Sequence, residues 1–263
     1  MEWEFVLLAI EDQVAMITLN RPDQLNALGG NMRQEIFEAL DLACVDEHVR
    51  VIVITGAGKA FCVGGDVNEF IAGTTQAVPQ MAASERLTMS KIVLLINSVE
   101  KPVIASVNGV AVGGGCNLAL ACDIRIASEK AKFGEVFTKR GAHPDWGGIY
   151  SLPRLVGYAK AAELIFTGEV IDAYEALRIG MINKVVPHDE LGIATKELAN
   201  NIAKNAPIPI ALAKRGLQNF HKMDLAQAVD YETFALGICR NSEDYKEGFE
   251  SFLEKREPNF LGK

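Results

Sequence analysis

An α/β core followed by a helical C-terminal module is the fold class that the sequence predicts. Three observations carry it. Val51–Thr55 and Val103–Val107 are apolar runs rich in β-branched residues, the pattern of parallel strands covered on both faces. Each run leads into a glycine-rich connection, Gly56–Phe70 after the first and Asn108–Gly115 after the second. Strand-like runs then stop near Pro187, and helical periodicity fills the remainder. The expected division is a core over residues 1–186 and a helical module over residues 187–263.

Taken in order, Phe5–Ile10 and Val14–Asn20 read as an opening hairpin, and Arg21-Pro22-Asp23 turns the chain. Asn31–Val45 carries Met32, Ile36, Phe37, Leu40 and Cys44 at the spacing of an amphipathic helix. After Val51–Thr55, Asp66 is placed to cap a helix beginning near Val67; read alone, the glycine-rich stretch Gly56–Phe70 is more simply an ordinary turn with an N-cap. Gly73–Pro79 is weakly patterned and reads as a mobile loop, and Ser84–Ser98 reads as a helix. The stretch Val103–Ser128 organises the chain: a strand, Asn108-Gly109, three glycines at 113–115, the buried helix CNLALACD and the strand IRIAS. Residues 130–148 are irregular and polar, and a loop of that length inside a domain is usually functional. Helices follow at Tyr158–Phe166 and Ala173–Ile179, then a short strand at Met181–Val186. Glu190–Asn205, Pro209–His221, Leu225–Cys239 and Ser242–Glu254 are the helices of the terminal module.

The 263 residues are 49% apolar and 23% charged, enough for one sizeable core. A net charge of −8 without a basic stripe argues against a nucleic-acid partner. The cysteines (44, 62, 116, 122 and 239) are odd in number and show no CxxC spacing, which suits free thiols in a reducing compartment. Four scattered histidines suggest no metal site. The acidic N-terminus has too short an apolar run for a signal peptide or a membrane span, so a cytoplasmic protein is expected.

Strand, glycine-rich turn and helix start together make a geometry that chemistry can use. Glycine lets a ligand approach the main chain closely. The first turn of a helix offers unpaired N–H groups and the positive end of its dipole. Such a site suits a carboxylate, a phosphate or a developing oxyanion. Tight packing of a helix on a sheet would use the same glycines.

Further motifs extend this pattern over the whole chain. Arg21-Pro22 precedes Asn26-Ala27-Leu28; Thr55-Gly56-Ala57-Gly58 precedes Ala60-Phe61 and Gly64-Gly65-Asp66. Lys101-Pro102, Asn108-Gly109, Gly113-Gly114-Gly115-Cys116, Cys122-Asp123 and Phe133-Gly134 follow. Gly147-Gly148, Leu152-Pro153-Arg154, Thr167-Gly168, Ala176 and Gly180 complete the series. In this order and spacing the sequence resembles the enoyl-CoA hydratase/isomerase superfamily, and the resemblance implies the crotonase-like ββα spiral. It also implies an oxyanion hole formed by the N–H groups of Gly65 and Gly114, which would polarise an acyl-CoA thioester and hold its enolate. Coenzyme A, part of the substrate and the only cofactor implied, would lie along Asn26, Ala27 and Leu28 and the turn with Gly64, Asp66 and Val67. Lys59 and Lys101 are candidates to pair with its phosphates, and solvated surface lysines are the plainer reading. Trimers, or hexamers made of two trimers, are implied, with the C-terminal helices at the contacts.

The sequence departs from the two-glutamate hydratases of this superfamily. Asn117 stands where the first glutamate would follow the GGGC run, and Phe137 stands at the position of the second. Paired carboxylates are what position and deprotonate a water. Asp145, in HPDWGG, matches the acid that isomerase-like branches carry, and an acid in an apolar pocket beside Trp146 suits proton shuttling. Glu135 is a second candidate, sharing a face with Phe137 if the segment is extended, although a surface carboxylate is its plainer reading. The dehalogenase branch also needs a histidine in the preceding helix, where this chain has Met89-Ser90-Lys91. The expected function is an enoyl-CoA isomerase, or a hydratase with a rearranged water site, using Asp145. A hydrolase of cyclic ketoacyl-CoA and a non-catalytic acyl-CoA binder are the alternatives.

Overall fold

The computed structural model describes residues 3–73 and 89–263. β1 (Val6–Glu11) and β2 (Val14–Leu19) form the expected antiparallel hairpin, with Val6 opposite Leu19. Three strand pairs follow: β3 (Val51–Gly56) with β4 (Ala60–Cys62), β5 (Val103–Val107) with β6 (Val110–Val112), and β7 (Ile124–Ser128) with β8 (Lys132–Gly134). The first strand of each pair enters one sheet and the second enters another. With β9 (Val170–Asp172) and β10 (Lys184–Val186), the larger sheet runs β1-β2-β3-β5-β7-β10 and the smaller runs β4-β6-β8-β9.

Helices separate the pairs. α1 (Met32–Val45) precedes β3, α2 (Val67–Gly73) follows β4, and residues 89–98 form α3. α4 (Gly114–Ala121) follows β6, and α5 (Gly148–Thr167) follows β8. Each strand–strand–helix unit steps one strand along both sheets, since β3, β5 and β7 are parallel neighbours, as are β4, β6 and β8. This is the expected α/β spiral. The expected mobile loop lies outside the described residues except for Gly73, as do residues 84–88 of the helix expected before Ser98.

The central strands read as apolar on both faces because both are covered. Ile52 and Ile54 turn toward Ile36 and Leu40 of α1, while Val51 and Val53, with Ile104, meet Ala199 and Ala203 of a later helix. That helix, α7 (Leu191–Ala203), follows α6 (Ala173–Arg178) and β10. α8 (Pro207–Asn219), α9 (Leu225–Arg240) and α10 (Glu243–Glu254) complete the chain. α8 is pinned by Lys214, whose buried Nζ donates to Asp123 Oδ2 at 2.6 Å and to the carbonyls of Lys101 and Ile96 at 2.9 and 3.0 Å. Asp123 Oδ2 also accepts from the Val103 N–H at 2.8 Å, so one carboxylate joins the last helices to the start of β5.

Two expectations about local structure change. α5 starts at Gly148, ten residues before the expected Tyr158, and Gly157 (φ 77°, ψ 161°) interrupts it. Gly147, Gly148 and Pro153 read as loop signals, but a left-handed glycine ahead of the helix and a proline within it are both accommodated here. The segment at 130–148 is not wholly irregular, because it contains β8. All four strands of the smaller sheet have three residues, too few for a period of two to register.

Candidate active site

The two glycine turns meet. Gly64 has φ 83°, and a Cβ there would lie 3.0 Å from the Val112 carbonyl and 3.2 Å from the Gly114 nitrogen. The turn after β4 therefore lies against the start of α4. Leu28 forms a parallel bridge with Gly65, its N–H donating to the Gly64 carbonyl at 2.8 Å. A Cβ on Gly114 would meet the Trp146 ring at 3.1 Å and Leu28 Cδ1 at 3.3 Å. Leu28, the Gly64-Gly65 turn, Gly114 and Trp146 thus converge. α4 is seated tightly: a Cβ on Gly115 would fall 2.1 Å from the Cys62 carbonyl oxygen, which only glycine avoids. The Gly114 N–H is in the first turn of α4, where the helix itself supplies no acceptor.

The loop after β8 brings the acids to this place. Trp146 is buried at φ 50°, so the chain turns sharply between Asp145 and α5. The Asn117 amide on α4 holds that turn, with Nδ2 donating to the Asp145 carbonyl at 2.9 Å and, more weakly, to Glu135 Oε2 at 3.4 Å. The amide lies against Gly148, where a Cβ would come within 2.4 Å of Nδ2.

Glu135 is not the surface carboxylate of the plainer reading. It is 1% exposed, because the end of β8, bonded to the start of α4 through the Gly134 carbonyl and the Gly113 N–H, sets it against Asn117. Burial pushes its carboxyl up to about 7, and the charge of Asp145 adds to the rise, while hydrogen bonds from Asn117 and the Cys116 thiol oppose it. Phe137 has φ −57° and ψ −48°, so the segment is not extended and the face-sharing condition with Glu135 is not met. Its ring instead approaches Gly113, where a Cβ would lie 3.7 Å from Phe137 Cζ. Reading the sequence missed the part that Asn117 and Cys116 take in this cluster. The available signal was their position directly on the GGGC turn.

The remaining candidates divide. Asn26 is fully buried at φ 57°, its side chain bonded to the Arg21 N–H and to the carbonyls of Ala57 and Ala60 at 2.8–2.9 Å. It shapes the turn and offers no side-chain atom to a ligand, and Ala27 and Leu28 are buried beside it. Asp66 caps α2 as expected, Oδ1 accepting from the Asn68 N–H at 3.1 Å, while Oδ2 pairs with Arg21 at 3.2 Å. Its carboxylate is therefore occupied. Val67, 60% exposed, opens α2, and Lys59 is exposed in the turn before β4. Lys101 is not a solvated lysine. Its Nζ donates to the carbonyls of Ala43 and Asp46 at 2.9 and 2.6 Å, closing the C-terminal end of α1, and burial lowers its affinity for a proton. The structure does not bring it to the glycine turns.

Among the described residues, no group of three or more His, Cys, Asp or Glu is placed to hold a metal ion, and no helix is long and apolar enough to cross a membrane.

Comparison with known proteins adds to this geometry. The family model described as enoyl-CoA hydratase/isomerase matches residues 9–263. A relative from Syntrophomonas wolfei described as crotonyl-CoA hydratase is 40% identical, with 100% of both chains covered. A relative from Escherichia coli described as 1,2-epoxyphenylacetyl-CoA isomerase is 36% identical, with 99% of each covered. The crystal structure of an enoyl-CoA hydratase from Bacillus anthracis superposes with a TM-score of 0.93 at 35% identity, covering 99% of this chain and 100% of the other.

Proposed function

The chain belongs to the enoyl-CoA hydratase/isomerase family, and from that premise we propose that it shifts the double bond of an enoyl-CoA thioester, with Asp145 moving the proton. In this reading the thioester oxygen is held by the N–H groups of Gly65 and Gly114. Asp145 takes a proton from C2 of a 3-enoyl thioester, the charge spreads to the thioester oxygen as a dienolate, and the same carboxyl returns the proton to C4. The first-turn N–H groups of α4 and its dipole stabilise the oxyanion. The reaction takes no cofactor beyond the coenzyme A of the substrate.

One observation carries the choice of isomerisation. The amide of Asn117 stands directly after the GGGC run, where the family's two-glutamate hydratases place an acid, and it is committed to the Asp145 carbonyl and Glu135. Glu135 is buried beneath it. A single working carboxylate suffices for a proton shift, whereas water addition calls for two. The description of the Syntrophomonas relative as a crotonyl-CoA hydratase favours hydration as the second reading.

The two reactions move the conjugated enoyl-thioester absorbance in opposite directions. With a 3-enoyl-CoA the absorbance is expected to grow, and with crotonyl-CoA to fall far more slowly or not at all. Rapid loss with crotonyl-CoA and no growth with the 3-enoyl ester would favour the hydratase. No turnover of either, with acyl-CoA retained on the protein, would mark a binder.

We further infer a trimer, or a pair of trimers. Leu217, Phe220, Leu225, Val229 and Phe234 on and between α8 and α9 are all exposed, apolar surface that the other described residues leave uncovered. Sedimentation at micromolar concentration is expected to give a trimer or hexamer, and a monomer would count against it. The five cysteines are free thiols, which suits the cytoplasm.

A further inference from the structure

Asn117 and Glu135 each leave a buried atom without a hydrogen bond to any described residue, Oδ1 of the first and Oε1 of the second. Their residues are 0% and 1% exposed, so bulk water does not satisfy them. Buried polar atoms are rarely left in that state. The amide cannot be turned over to remove the difficulty. Nδ2 faces two acceptors, the Asp145 carbonyl and Glu135 Oε2, and a flip would set Oδ1 against both. Both orphaned atoms are acceptors, one on an amide and one on a carboxyl, and they belong to two side chains already in contact through Nδ2 and Oε2. A proton on the carboxyl turns the unsatisfied pair into a donor and an acceptor.

We propose that Glu135 is a positioning residue that works as a neutral acid, donating its O–H to Asn117 Oδ1, and so holds the amide that fixes the Asp145 main chain. The inference rests on reading Asp145 as the group that moves the proton. Its second consequence is electrostatic. The reaction places negative charge on the thioester oxygen at the start of α4, the helix against which Glu135 is packed. An ionised Glu135 would repel that charge, and a neutral one does not.

The surroundings of Glu135 agree. Among the described residues, the ionisable groups that act on it are Cys116 on α4 and Asp145 in the following loop. Cys116 is buried, held well above its ordinary value by burial and by Glu135 itself, and stays a thiol. Arg125 on β7 acts on Cys116, but its guanidinium is spent on the carbonyls of Met181 and Cys122. Asp145 is the one like charge among the described groups that act on it, and it opposes ionisation of Glu135. Buried, next to a carboxylate and with no cation of its own, Glu135 keeps its proton to about 7.

The test compares the parent with Glu135→Gln, whose side-chain N–H can replace the O–H but cannot ionise. The parent is expected to lose kcat/KM by about tenfold per pH unit above the Glu135 transition. Glu135→Gln is expected to keep activity within about threefold of the parent below that transition and to lack the alkaline limb. Infrared difference spectra of the free enzyme between acid and alkaline pH are expected to show a buried protonated carboxyl that disappears on ionisation and is absent in Glu135→Gln. This readout needs no turnover, so it survives if the proposed reaction is wrong. An alkaline limb that persists in Glu135→Gln, or a parent spectrum without the protonated carboxyl, overturns the inference. Full activity of Asp145→Asn would instead overturn the reading on which it rests.

Discussion

Asp145→Asn is expected to lower kcat by about 10²–10⁴-fold and to leave acyl-CoA binding nearly unchanged. Asparagine keeps the size of the side chain and its tolerance of turns, and removes only the titrating group. The Asp145 carbonyl that accepts from Asn117 is main chain, so the variant keeps that contact, and Trp146 keeps its place against Gly114. Binding in this reading rests on the Gly65 and Gly114 amides, which the substitution does not touch. Steady-state kinetics on a 3-enoyl-CoA and binding of a non-reactive acyl-CoA separate the two effects. A variant as active as the parent would move the proton transfer elsewhere. If Glu135→Gln were then inactive, Glu135 would be the acid that touches substrate.

Gly114→Pro is expected to cost about 10²–10³-fold in kcat, the loss typical of one oxyanion-hole donor. Proline lacks the N–H but is tolerated in the first turn of a helix, where Gly114 stands. The new ring carbon has little room, since a Cβ meets Trp146 at 3.1 Å and Leu28 at 3.3 Å. Gly114→Ala is therefore the necessary control. It adds the same Cβ, without the further ring carbons, and keeps the amide, so it is expected to retain much more activity than Gly114→Pro. Equal losses in both, or near-normal activity of a folded Gly114→Pro, would remove the amide from the mechanism. Thermal unfolding of each variant checks that the fold survives.

Most of the fold was readable from local pattern. The hairpin, α1, the central strands of the larger sheet and the four C-terminal helices lie where apolar periodicity placed them, within a few residues. These elements are long enough to show a period, and each buries one face or two. The smaller sheet was not readable. Its three-residue strands are defined by their partners, such as Gly134 opposite Val170, and not by their own residues. The turns that support the site were visible as glycines. Asn108, which bonds to the Gly56 N–H and to the carbonyls of Gly58 and Ala60, was visible only as a turn residue.

By itself, the sequence determined the family, the α/β spiral and the two glycine turns, and it put Asn117 and Phe137 where the resemblance led one to expect glutamates. Those are matters of residue identity and spacing, which survive without coordinates. Only the tertiary structure decided what the polar residues near those turns do. Lys101 caps a helix, Asp66 is held by Arg21, and Glu135 is buried beneath Asn117. The reason is physical. The protonation state and the partners of a charged side chain depend on how much water it loses and which groups face it, and those come from residues far away in the chain. Glu135 lies eighteen residues from Asn117 in sequence, and the hydrogen bond from the Gly113 N–H to the Gly134 carbonyl at the end of β8 helps remove that separation.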